Sequence, residues 1–319
     1  MCAYSWGRDD RDSDDGVGHD YKSARKEYEA PKRAEVVLVE HDDEERSRGR
    51  SRHEIKSPVG KTISTESTHP IVVALDGTGS MSTWPSIIKE KMPLLGKEVE
   101  RYIDDYAISF CVFGDVVVDD YALQFEEFGK GEELDKYIDN LYPEGDGGDS
   151  PEDHSIVAYA YLDHCKIDKA VKPLLFLITD TNCHRTLSKS AIKKYTGDIV
   201  QDEQDSETLL RALGEKFIVY VILKDETRSI VNYWTEIYGE QRIKPIEEPR
   251  DIVELIIGVV ANEMGEFDDF KMRSKSRHAD MPDRVDRVTK SVMSGSKKAE
   301  EGKSKVASHM DEGVSKRLV

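Results

Sequence analysis

The chain has 319 residues, 38% of them hydrophobic, and a formal net charge of −18. That supplies one sizeable core with flanking segments, and the negative balance disfavours nucleic-acid backbones while favouring cations or basic partners. No run approaches the ~20 apolar residues of a membrane span, Met1–Asp20 has no apolar signal-peptide core, and four scattered cysteines build no disulfide framework, so a cytosolic protein with reduced thiols is expected.

The charge is unevenly spread. Residues 1–68 carry 13 Lys and Arg against 16 Asp and Glu, residues 69–270 carry 20 against 41, and residues 271–319 carry 13 against 7. This predicts a folded acidic domain over 69–264, a largely disordered segment over 1–68 and a basic, largely disordered tail over 265–319. Glu35–Glu40 is the single candidate strand of the first flank. In the tail, Val285, Val288 and Val292 fall at helical spacing, which predicts a short amphipathic helix that forms on a partner.

Within the domain, Ile71–Asp76 is a buried-type apolar run ending in Asp. A helix follows, capped by Ser82 or Thr83, with Pro85 in its first turn and a bend at Pro93. Ala107–Phe113 and Val116–Phe125 read as a hairpin turning at Gly114–Asp115, which makes one sheet edge antiparallel. Helices over about 132–141 and from Pro151 through Tyr161 flank the loop Glu144–Ser150. Leu174–Asp180 is a second buried strand ending in Asp, and Phe217–Leu223 is a third. Helices near 206–213, 229–238 and 251–264, with a short strand near 242–246, complete the alternation. The predicted fold is α/β, a doubly wound and mostly parallel sheet with one antiparallel edge strand, whose ligand sites lie at the carboxyl ends of strands.

Asp76 and Asp180 stand at two such ends. In Asp76-Gly-Thr78-Gly-Ser80 a tight turn brings a carboxylate and two hydroxyls around one point, the all-oxygen set that Mg²⁺ or Mn²⁺ prefers. The plainer reading is that Asp76 and Ser80 cap a helix and Asp180 ends a strand. Other chemistry has weaker support. No Lys follows Gly77-Thr-Gly79 at P-loop spacing, the second Asp of a phosphoryl-transfer loop is absent, and Ser150 has no partnered His on a strand-to-helix elbow. Cys183 and His184, with His154, are a candidate set for a softer ion such as Zn²⁺. Trp84 is either core or a partner contact.

These motifs resemble the von Willebrand factor A-type domains with their metal-ion-dependent adhesion site. Asp76, Thr78 and Ser80 match the family's Asp-x-Ser-x-Ser, Ser150 matches its loop Thr, and Asp180 its strand-end Asp; Thr181 stands where the family usually has Gly. The resemblance covers roughly residues 69–262 and implies a Rossmann-like fold, a Mg²⁺ or Mn²⁺ held by Asp76, Thr78, Ser80, Ser150 and Asp180, and a partner protein that offers an Asp or Glu carboxylate to the ion. Intracellular members of that family often act beside AAA+ ATPases of the MoxR or chelatase kind, so such an ATPase is an implied partner. An adaptor rather than an enzyme is therefore expected. Two other functions stay open: a ribonucleoprotein component whose tail, with Lys271, Arg273, Lys275, Arg277, Lys297 and Lys298, contacts nucleic acid, and a metal-dependent hydrolase relying on His154 or His184.

Overall fold

The structure is a computed structural model, and it describes residues 55, 57–81, 83–145, 151–224 and 226–295. The strand expected at Glu35–Glu40 lies outside these residues, as do Ser150, Lys297 and Lys298. Six strands form the central sheet: β1 (His69–Asp76), β2 (Tyr106–Phe113), β3 (Leu123–Phe125), β4 (Leu174–Thr179), β5 (Ile218–Leu223) and β6 (Ile243–Pro245). Their order is β6-β5-β4-β1-β2-β3, parallel throughout except where β3 runs antiparallel to β2. This is a doubly wound α/β sheet with one antiparallel edge.

Both faces of the sheet are covered, so β1 reads as a continuous apolar run rather than an alternating one. Ile71, Val73 and Leu75 enter one core layer while Val72 and Ala74 enter the other. The first layer is closed by α1 (Trp84–Glu90), α2 (Met92–Tyr102), α3 (Glu133–Asp139) and the strongly apolar α8 (Ile252–Met264). The second is closed by α4 (His154–Asp163), α5 (Lys189–Thr196), α6 (Ser206–Lys216) and α7 (Arg228–Tyr238). Trp84, 1% exposed, is core. Cys111, Cys165 and Cys183 are free and buried.

Three local expectations are corrected. Pro93 does not bend one helix but separates two, because it has no N–H to continue the ladder of the first helix and is tolerated in the first turn of a new one; α1 ends at Glu90, Lys91 lies between, and α2 starts at Met92. The turn after β2 is not a two-residue hairpin. Asp115 Oδ1 accepts from Val117 N at 2.7 Å and Val118 N at 3.3 Å, and Asp115 N donates to Asp119 Oδ2 at 2.8 Å. These side-chain bonds wind residues 115–119 into a turn, leave Val117 82% exposed, and delay the second strand to Leu123.

The third correction concerns the chain after residue 264. Residues 267–292 form two helices, α9 (Phe267–Arg277) and α10 (Pro282–Val292), packed against α8. Phe270, Val285, Val288 and Val292 are buried, so the valine stripe meets this chain's own core rather than a partner. Lys244 Nζ donates to Val292 O at 2.7 Å and Ser294 O at 3.0 Å, joining α10 to β6. Several basic residues expected to contact nucleic acid are engaged in the fold: Arg277 pairs with Glu98 and Glu254, Arg273 with Asp269, and Lys271 with Asp268. Limited proteolysis is therefore expected to leave residues 267–292 attached to the domain, and mass spectrometry of the resistant fragment would show this. A fragment ending near residue 265 would mean that α9 and α10 are not docked.

Candidate metal centre

Asp76 ends β1 with its side chain wholly buried. Its Oδ1 accepts from Thr78 N at 2.9 Å and Thr78 Oγ1 at 2.6 Å, and its Oδ2 accepts from Thr179 Oγ1 at 3.1 Å. A threonine hydroxyl that gives its proton to a carboxylate keeps its lone pairs for an electrophile, so Thr78 is oriented as a neutral ligand would be. Gly77 is required by the close approach of neighbouring chain: a Cβ there would meet Val112 Cγ1 at 2.5 Å, while Gly77 N donates to Phe113 O at 2.8 Å.

Ser80 is exposed, and Asp180 follows β4, the strand beside β1. Lys224, just past β5, ties the two together: its Nζ donates to Ser80 O at 2.7 Å and lies 3.7 Å from Asp180 Oδ2. Thus Asp76, Thr78, Ser80 and Asp180 all gather at the carboxyl ends of β1, β4 and β5, while Ser150 lies outside the described residues.

The electrostatics show an excess of negative charge. Burial pushes the Asp76 carboxyl up to about 6 against its hydrogen bonds to Thr78, with the Asp180 carboxylate adding to the rise. Glu152 is raised further, to about 9, by burial and by the carboxylates of Asp76, Asp115, Asp119 and Asp153. Asp153 is raised to about 6 by burial, opposed by the Val116 N–H and by His184. Among the described residues no Lys or Arg pairs with Asp76, Glu152 or Asp153. Buried like charges without a counter-ion favour either protonation or a bound cation. The oxygen donors of Asp76, Thr78, Ser80 and Asp180 suit a hard divalent cation, so these residues fit Mg²⁺ or Mn²⁺.

His154 has a different part from the one expected. It is wholly buried, stands against the rings of Phe113 and Trp234, and its Nε2 lies 2.9 Å from Thr179 Oγ1. A neutral imidazole has one N–H: given from Nδ1 to Glu152 O at 3.3 Å it leaves Nε2 to accept the Thr179 proton, and carried on Nε2 it leaves that proton to Asp76, so the His154 tautomer and the Asp76–Thr179 hydrogen bond are linked. Burial lowers the His154 pKa to about 3, which leaves a neutral orienting ring and a poor proton acceptor. The candidate grouping of His154, Cys183 and His184, weakly supported in the sequence, does not form. Instead the chain at 152–154 pairs with 182–184, through Glu152 N to Asn182 O at 3.1 Å and His184 N to Glu152 O at 3.0 Å, and this pairing brings His184 beside Asp153 and Asp115. Asp115, Glu152 and Asp153 were missed as site residues. The turn chemistry of Asp115 and the acidic pair after Pro151 were the signals in the sequence.

No family model matches the chain, and no curated protein matches it. Among solved structures it is similar to the pilus adhesin SpaC of Lactobacillus rhamnosus GG in its open conformation, at 12% identity and a TM-score of 0.45 over 67% of this chain and 31% of that one. It is also similar to proximal thread matrix protein 1 of the mussel byssus, at 10% identity and a TM-score of 0.41 over 65% of this chain and 49% of that one. The chain thus spans about a third to a half of the solved chains that it matches. At such scores these likenesses identify no function.

Proposed function

We propose that this protein is a von Willebrand factor A-type binding module that holds Mg²⁺ or Mn²⁺ through Asp76, Thr78, Ser80 and Asp180, with Ser150 as the loop ligand, and captures a carboxylate of a partner protein on the ion. The observation that supports it best is the gathering of Asp76, Thr78, Ser80 and Asp180 at adjacent strand ends around a buried carboxylate without a cationic partner. Neutral hydroxyl ligands leave the ion electrophilic, so an Asp or Glu from outside completes its coordination. Among the described residues no helix is long and apolar enough to cross a membrane. The resemblance extends the proposal to a cytosolic setting and an AAA+ ATPase of the MoxR or chelatase kind as partner. The poor basicity of His154 favours a binding role over hydrolysis.

The test is a pull-down with and without EDTA, read by mass spectrometry, followed by binding measurements on each captured partner. Binding is expected to need Mg²⁺ or Mn²⁺, to fail in Asp76→Ala and Asp180→Ala, and to fail when one partner carboxylate is removed. Binding that is unchanged in EDTA, or hydrolytic turnover lost on His184→Ala, would overturn the adaptor reading.

A further inference from the structure

A second donor set lies close to the Asp76 end of the sheet. Asp115 comes from the turn after β2, Asp153 immediately precedes α4, and His184 follows β4. Each offers one ligand atom, and these atoms all lie within 4.8 Å of one another. Asp115 and Asp153 are each 1% exposed. None of the three was expected to share a site with the other two, because 69 residues separate Asp115 from His184 in the chain.

The backbone holds the two carboxylates in a way that leaves them able to bind. Asp115 Oδ1 takes the N–H groups of Val117 and Val118, and Asp153 Oδ2 takes that of Val116 at 2.9 Å. Among the described residues the second oxygen of each carboxylate receives no donor. The backbone pairing of 152–154 with 182–184 fixes Asp153 against His184. Two independent features point to a missing ligand. Among the described residues, His184 Nε2 is enclosed yet has no hydrogen-bond partner, and Glu152, 6% exposed, carries an Oε2 that is likewise enclosed and without one. The Glu152 carboxyl lies in the field of Asp76 first and then of Asp115, Asp119 and Asp153, so its orphan oxygen borders both this acidic corner and the Asp76 end of the sheet. Native folds rarely bury such groups unsatisfied.

We propose that Asp115, Asp153 and His184 form a second cation site, for a borderline divalent metal such as Zn²⁺ or Mn²⁺, separate from the all-oxygen site at Asp76. An imidazole nitrogen beside two carboxylates suits these ions better than Mg²⁺ or Ca²⁺, which prefer oxygen alone. Three protein ligands also leave a fourth position open. Tetrahedral coordination at zinc-to-ligand distances of about 2.1 Å needs ligand atoms roughly 3.4 Å apart, so the set closes on the ion by small side-chain rotations.

The full-length protein, stripped of metal, is titrated with Zn²⁺, Mn²⁺ and Mg²⁺ by calorimetry, alongside Asp76→Asn, His184→Gln and Asp153→Asn. Asp76→Asn is expected to keep one equivalent of Zn²⁺, whereas His184→Gln and Asp153→Asn weaken that binding at least tenfold. Pulsed electron paramagnetic resonance of the Mn²⁺-loaded Asp76→Asn protein should show a directly bound imidazole nitrogen, and adding His184→Gln should remove it. Circular dichroism of each metal-free variant establishes that it folds. Zn²⁺ binding that is lost in Asp76→Asn, or that is indifferent to His184→Gln, overturns the second site. Failure of the Asp76 site looks different: Mg²⁺ then leaves the wild-type melt unmoved while the Zn²⁺ equivalent persists.

Discussion

Mg²⁺ or Mn²⁺ in hundredfold excess over its dissociation constant is expected to stabilise the wild-type protein by about 2.7 kcal/mol, because the ion binds the folded chain and not the unfolded one. For a domain of this size that is a rise of roughly 5 to 11 °C in melting temperature. Asp76→Asn should abolish the rise. The same substitution should also stabilise the metal-free protein, by on the order of 1 to 2 kcal/mol, since it removes a buried charge whose folded pKa is raised. The sign follows from linkage. An acid with a raised folded pKa binds more protons folded than unfolded, so its contribution falls as pH rises from the ordinary Asp value through about 6. Thermal melts with metal and with EDTA, at pH 5 and pH 7.5, measure both effects. Identical wild-type melts in Mg²⁺, Mn²⁺ and EDTA would remove the basis for the proposed function.

Arg277→Met is expected to be the most damaging single change outside the site. Arg277 Nε and Nη2 donate to Glu254 at 2.9 and 3.0 Å, and Nη1 donates to Glu98 at 2.7 Å, where both glutamates are 0% exposed. Removing the guanidinium leaves buried Glu98 with Arg101 alone and buried Glu254 with His278 alone, at a cost of about 3 to 5 kcal/mol. That corresponds to a fall of roughly 6 to 20 °C in melting temperature. Burial opposes ionisation of Glu254, but Arg277 and His278 outweigh it and hold its pKa well below the ordinary value. Its stabilisation is therefore present above the ordinary glutamate pKa and is lost as pH falls below it. In Arg277→Met that dependence should weaken, because Glu254 then keeps only His278 and Glu98 only Arg101 to offset burial of their charges. Replacing Glu98 and Glu254 as well with Met should recover most of the loss, and an Arg277→Met single variant that melts like the wild type would show that the cluster does not bind α9 to the domain.

The sequence by itself determined the strand order in the chain, the two-sided burial and the placement of Asp76 and Asp180 at strand ends. Those features follow from local patterns: apolar runs of six to eight residues that finish in Asp, separated by helical periodicities. The Thr78 hydroxyl was legible for the same reason, since it lies two residues from the carboxylate that it serves. Tertiary structure alone decided the rest. Residues 267–292 look like a solvated charged tail, and they fold because Arg277 finds Glu98, 179 residues away, and because Val288 and Val292 join the core cluster that the apolar face of α8 belongs to. His154 is open in sequence to a role in an alternative hydrolase reading, but burial against Phe113 and Trp234 places it beside Thr179. Asp115, Asp153 and His184 come from three separate loops, and no periodicity or spacing links them. Only the closure of β2 and β4 on either side of β1, with the pairing of 152–154 to 182–184, sets their ligand atoms within 4.8 Å of one another.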